Sequence, residues 1–123
     1  MKYIIVIDDS ITIRAIVELV LKNLGYKVQG AENGEGAIQL IKEIKENGDD
    51  VALCISDINM PVMDGLTFLH EFKRLDKFTP VIMLTTESDD STINEIKELG
   101  AAGWIVKPFQ PDKLLETVKK LLK

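Results

Sequence analysis

Several polar side chains able to hold a cation or a phosphate stand where apolar runs of this chain end. Asp8 and Asp9 follow Tyr3-Ile4-Ile5-Val6-Ile7, and Asp57 follows Val51-Ala52-Leu53-Cys54-Ile55-Ser56. Thr85 and Thr86 follow Val81-Ile82-Met83-Leu84, and Lys107 follows Trp104-Ile105-Val106. Ligands of open α/β sheets bind in the crevice beyond the carboxyl ends of the strands. If these runs are strands of one parallel sheet, the groups share a rim.

Three carboxylates on one rim need a cation. Two unit charges about 4 Å apart at an effective dielectric near 20 repel by about 4 kcal/mol, so the cluster is strained unless hydrated, protonated or filled. Mg²⁺ suits it, because that ion takes one or two carboxylates together with water and substrate phosphate. Each residue also has a plainer reading. Asp8-Asp9 could simply complement a helix dipole, Asp57 could be a turn former before Ile58-Asn59-Met60-Pro61, and Thr85 could be a strand-favouring residue. Lys107-Pro108 could be a strand terminator or a cis peptide that aims the ammonium over the carboxylates. The common rim favours chemistry over a set of separate coincidences.

The elements that must position these groups follow from periodicity. Short apolar runs alternate with longer amphipathic stretches, the pattern of βα units around a parallel sheet. The first helix follows Ser10 as N-cap, carries Ile13, Val17, Val20 and Leu24 on one face, and ends near Gly25. The second strand, Lys27 to Ala31, is short and less apolar, as an edge strand should be. Asn33 caps a helix bearing Ala37, Ile41 and Ile44, which stops at Asn47-Gly48-Asp49-Asp50. A third helix starts near Asp64 and aligns Leu66, Leu69, Phe72 and Leu75. The fourth has Thr92 and Glu95 in capping-box spacing, Ile93, Ile96 and Leu99 inward, and Gly100 at its close. The fifth opens at Pro111 and packs Leu114, Leu115, Val118, Leu121 and Leu122, leaving Lys119-Lys120-Lys123 as solvated surface.

Composition narrows the function classes. The 123 residues fit one domain, 1–123, with 46% hydrophobic and 28% charged residues, an ordinary globular balance. Fifteen basic against 20 acidic residues give a net charge of −5, which argues against a partner held by nucleic-acid phosphates. No run approaches the roughly 18 apolar residues of a spanning helix, and the amino terminus lacks a signal-peptide pattern, so a cytoplasmic protein is expected. The only cysteine, Cys54, lies in an apolar run and reads as a buried, inert thiol. Asn33-Gly34-Glu35-Gly36 lacks the third glycine of a dinucleotide loop. His70, the only histidine, reads as a surface residue without partners for a transition-metal site.

The segments Ile7-Asp8-Asp9-Ser10, Ser56-Asp57-Ile58-Asn59-Met60-Pro61-Val62-Met63-Asp64-Gly65, Leu84-Thr85-Thr86 and Val106-Lys107-Pro108-Phe109 resemble, in order, the receiver domain of two-component response regulators. Gly103-Trp104-Ile105-Val106-Lys107-Pro108-Phe109 and the chain length look most like chemotaxis regulators of the CheY type. The resemblance implies a flavodoxin-like (βα)5 three-layer sandwich with a five-stranded parallel sheet in the order 2-1-3-4-5. It implies that Asp57 accepts a phosphoryl group from a sensor histidine kinase of the CheA kind. Asp9 would ligate Mg²⁺ directly, Asp8 largely through water, and the Asn59 carbonyl would complete the protein ligands. Lys107 would neutralise the transferring group, and Thr85 would follow the new oxygens inward. Trp104 would then turn and remodel the face made by the fourth helix, fifth strand and fifth helix.

The same resemblance implies that Asn59 and Glu87 modulate dephosphorylation, and that the protein is a monomer, catalysing only its own phosphorylation and dephosphorylation. The expected partners are the kinase, a phosphatase, and a flagellar switch or other output protein. Two departures stand out. Trp104 replaces the tyrosine common in chemotaxis regulators, and a donor-only indole shifts the resting balance of rotamers. Asp89-Asp90 stand where motor-binding members tend to carry lysines, which points to a more basic output partner. Two rival readings share the pocket: a phosphorelay intermediary that hands its phosphate to a second histidine protein, and a Mg²⁺-dependent phosphotransferase acting on a small molecule. The second would need a cap over its substrate, for which five short connections leave little chain.

Overall fold

The computed structural model describes residues 1–122; Lys123, grouped above with the solvated lysines, lies outside the described residues. The elements are β1 (Lys2–Ile7), α1 (Ile11–Leu21), β2 (Lys27–Ala31), α2 (Gly34–Glu46), β3 (Asp50–Asp57), α3 (Gly65–Leu75), β4 (Val81–Thr85), α4 (Asp90–Glu98), β5 (Gly103–Val106) and α5 (Pro111–Leu121). All strand pairs are parallel, in the order β2-β1-β3-β4-β5. This is the flavodoxin-like (βα)5 arrangement. The central strands are nearly continuous apolar runs because helices cover both faces, and the less apolar β2 lies at the edge, as expected.

Two cores flank the sheet. Ile4 and Val6 of β1 pack toward Val17 and Leu21 of α1 and Leu114 and Val118 of α5. Ile5 and Ile7 face the other way, toward α2, α3 and α4, following the two-residue alternation of a strand. In β3 that alternation is reset by a bulge. Pairing with β1 jumps from Tyr3 opposite Val51 to Ile4 opposite Leu53, leaving Ala52 extra. A one-residue slip inverts every later side chain, so Val51 and Cys54 share one core while Leu53 and Ile55 enter the other.

The two expected N-caps, Ser10 and Asn33, are present, and Asp64, at the expected start of the third helix, is a third. The side chains of Ser10, Asn33 and Asp64 accept from Ile13 N (3.2 Å), Gly36 N (2.9 Å) and Thr67 N (2.8 Å). Other expectations need correcting. α1 stops at Leu21 rather than near Gly25, because Leu24 N bonds back to Leu21 O and Gly25, at φ +85°, turns the chain into β2. Leu21 is therefore a core residue that the Ile13-to-Leu24 stripe missed. In α3 the buried face is Phe68, Leu69 and Phe72, while Leu75, the last helical residue, is 48% exposed. α4 is capped by Asp89, which accepts from Thr92 N at 3.3 Å, so Thr92 lies inside the first turn. A carboxylate on extended backbone three residues earlier is the better acceptor. Leu99 is the C-cap of that helix and Gly100, at φ +93°, follows it.

Candidate functional site

Four of the five strands, β1, β3, β4 and β5, deliver parts of the site to the rim. Asp8 follows the last residue of β1, is 1% exposed, and is pinned through its backbone by its own N–H to Ala31 O at 3.1 Å. Its Oδ1 accepts from Ser10 N at 2.9 Å. Asp9, the next residue, is exposed. Asp57 is the last residue of β3, and its Oδ1 accepts from Ile58 N at 2.9 Å. Lys107 follows β5 on a cis Lys107–Pro108 peptide, and its Nζ lies 3.0 Å from Asp8 Oδ2 and 3.2 Å from Asp57 Oδ1. The expected convergence of ammonium and carboxylates is therefore present.

Burial and the Asp8 charge push the Asp57 carboxyl above its ordinary range, although Lys107 and the Ile58 N–H pull it back. For Lys107, burial disfavours the ammonium, but the hydrogen bond it donates to Asp8 and the charges of Asp8 and Asp57 outweigh it and raise its pKa. Lys107 gains from two anions, whereas Asp57 gains one cation and faces one anion. One oxygen each of Asp8, Asp9 and Asp57 lies within 4.8 Å of the other two. Three carboxylates against one ammonium leave excess negative charge on hard oxygen donors, and this set fits a divalent cation of the Mg²⁺ type.

The remaining predicted residues lie around this centre. Thr85 is the last residue of β4 and is 2% exposed. Its hydroxyl accepts from Glu87 N at 2.9 Å and donates to Glu87 O at 3.1 Å, so it is bonded into its own loop. The Glu87 carboxylate takes the Thr92 hydroxyl at 3.3 Å. Asn59 is exposed in the loop after β3, and Trp104 is 37% exposed on β5. Cys54 is fully buried, and burial pushes its thiol far above the ordinary range, so it is inert. His70 is exposed on α3.

Sequence reading missed three supports. The Arg14 guanidinium donates to the Asp8 carbonyl, and Gly30 leaves room for the Arg14 stem, since a Cβ there would stand 2.9 Å from Arg14 Cδ. Gly65 packs so closely that a Cβ would collide with the Asp57 carbonyl. The available signals were an arginine one turn after the Ser10 cap and a glycine immediately after the Asp64 cap.

The family model for the response regulator receiver domain matches residues 4–119. The chemotaxis protein CheY of Bacillus subtilis is 37% identical over 120 residues, covering 97% of this chain and 96% of that protein. The transcriptional regulatory protein ZraR of Escherichia coli is 34% identical over 97% of this chain, which spans 26% of its length. The solved structure of chemotaxis protein CheY4 of Vibrio cholerae superposes with a TM-score of 0.88 at 40% identity, covering 99% of both chains. With the acid pair, the buried aspartate and the Lys-Pro step on one rim, the chain belongs to the response regulator receiver domains and is a CheY-like signalling protein rather than a conventional enzyme.

Proposed function

We propose that residues 1–123 form one receiver domain acting as a stand-alone phosphoacceptor switch, with Asp57 as acceptor and a sensor histidine kinase as donor. The observation that carries this reading is Lys107 Nζ seated between Asp8 and Asp57, within contact distance of both. In the transfer, an Asp57 oxygen attacks phosphorus, an O–P bond forms, and the P–N bond to the donor imidazole breaks. Lys107 stands against the oxygens of the moving group, where positioning and electrostatics supply most of the catalysis. Asp8, Asp9, Asp57 and the Asn59 carbonyl would hold Mg²⁺, which when bound neutralises phosphoryl charge.

A protein donor is supported by the apolar groove beside Lys107, about 430 Å³, lined by Ile13, Ile16, Pro108 and Phe109. Nearby, Ile11 and Leu19 of α1 are 73% and 63% exposed. Phosphorylation replaces one charge by about two and adds acceptor oxygens. For Thr85 to reach them it must release both bonds to Glu87, and that frees the start of α4. Trp104 then reports the change on the α4-β5-α5 face, while Asn59 and Glu87 tune water access to the phosphoryl group.

The resemblance to CheY proteins supports a role in chemotaxis. The exposed Asp89 and Asp90 at the start of α4 favour a basic output partner over the flagellar switch surface. No helix among the described residues is long and apolar enough to cross a membrane, and a cytoplasmic monomer fits this role.

The test is to incubate the protein with Mg²⁺ and a small phosphodonor while following intact mass and the emission of its single tryptophan. One phosphate adduct that disappears in Asp57→Asn, with a change in Trp104 emission, is expected. A protein that gains no adduct removes the acceptor reading.

A further inference from the structure

The Lys97 ammonium lies over the Trp104 ring, 5.1 Å from its centroid. Among the described residues Lys97 makes no ion pair, so the indole face is its partner within the fold. Lys97 sits in the last turn of α4, and Trp104 on the neighbouring β5 is only partly exposed. The first turn of α4 carries Thr92, whose hydroxyl bonds the Glu87 carboxylate, and Glu87 is in turn held through its backbone by Thr85. One short helix therefore connects the loop bonded to Thr85 with the cation that covers Trp104.

Resting on the proposed switch, we propose that Lys97 is a positioning residue that holds Trp104 in its outward, resting orientation through a cation–π contact. An inward indole would leave the ammonium without the ring, so the contact favours the resting state alone, and only such a differential interaction shifts a population. Release of Glu87 by Thr85 loosens α4 and withdraws Lys97 from the ring in the same movement. The replacement of a phenol by the larger indole makes this hold stronger, because indole is the best cation–π face.

The test uses the full chain and the indole N–H resonance of its single tryptophan, recorded at rest and with Asp57 phosphorylated. Lys97→Met keeps the stem and removes the charge. It should move the resting resonance toward the phosphorylated position, with an inward-to-outward ratio about two- to five-fold larger, the size an exposed cation–π contact carries. Lys97→Arg should restore the wild-type position, since a guanidinium stacks on the same face. If the wild-type resonance moves on phosphorylation but Lys97→Met leaves the resting signal unchanged, the role of Lys97 is overturned and the switch survives. If the wild-type resonance stays fixed while intact mass shows full phosphorylation, Trp104 is no readout and the role of Lys97 falls with it.

Discussion

Two aspartates at opposite ends of the sheet, Asp57 buried and Asp76 half-buried, show what separates a structural carboxylate from a reactive one. Asp76, after α3, accepts from Phe78 N and Thr79 N at 3.0 Å each, from the Thr79 hydroxyl, and from Lys45 Nζ at 2.9 Å. Burial opposes its ionisation, but these donors overcome it and hold its carboxyl well below the usual carboxylate range. Asp57 has one backbone N–H, shares one ammonium, faces Asp8, and is shifted the other way. A carboxylate whose acceptor sites are filled fixes a loop; one left short of donors is available to a cation or a phosphorus atom.

The same isosteric change should therefore have opposite signs at the two sites. Asp76→Asn removes an acceptor for Lys45 and the Thr79 hydroxyl and should destabilise the protein by about 2 kcal/mol at neutral pH. It should lower the urea midpoint at unchanged slope. Because the folded pKa of Asp76 is depressed, its contribution is present above the unfolded value and lost as pH falls below about 4. The difference between wild type and variant should shrink there. An Asp76→Asn protein as stable as wild type would make the two carboxylates alike.

Asp57→Asn should instead stabilise the metal-free protein by about 1 kcal/mol, because it relieves repulsion that Lys107 only partly cancels. Here the folded pKa is raised, so the native state binds the proton more tightly and wild-type stability falls as pH rises through that folded value. The advantage of the variant is greatest at neutral pH and fades on acidification toward about 4. Mg²⁺ should raise the melting temperature of the wild type in a concentration-dependent way, and raise that of Asp57→Asn less. Melting curves indifferent to both changes would remove the acidic cluster from this account.

How visible each site is in the sequence follows from the range of its interactions. The rim was legible because strand ends in a parallel sheet converge, so Asp8, Asp57, Thr85 and Lys107 could be placed together from apolar runs alone. The Asp76 site left no such mark. Its partners are the backbone of its own loop, Thr79, and Lys45 from α2, 31 positions away. The Ala52 bulge was equally hidden, because an extra strand residue changes no residue type. Thr92 was misread as a cap because its capping-box spacing to Glu95 is genuine, yet the backbone had already turned helical after Asp89. Thr85 was placed correctly, but its bonds to Glu87 depend on a loop conformation that spacing does not encode.

The loops beside the two carboxylates carry the comparison further, with the smallest expected effect. The loop after Asp76 is held by the Asp76 side chain, whereas the loop after Asp57 is held by backbone at the cost of conformational strain. Met63 N bonds Pro61 O at 2.8 Å, Met63 O takes Gly34 N at 3.1 Å, and Gly65 N bonds Ile58 O at 2.7 Å. Between these ties Val62 adopts φ +69° while its side chain is 77% exposed. A β-branched residue is strained in the left-handed region, and almost no burial offsets that strain. Glycine has no Cβ to clash at this positive φ, so Val62→Gly should stabilise the protein by about 0.5 kcal/mol. Because Val62 belongs to none of the groups on the rim, the melting shift produced by Mg²⁺ should be unchanged. A loss of stability would show that Val62 makes a favourable contact there, and an altered Mg²⁺ response would show that the strained loop and the carboxylate cluster act as one unit.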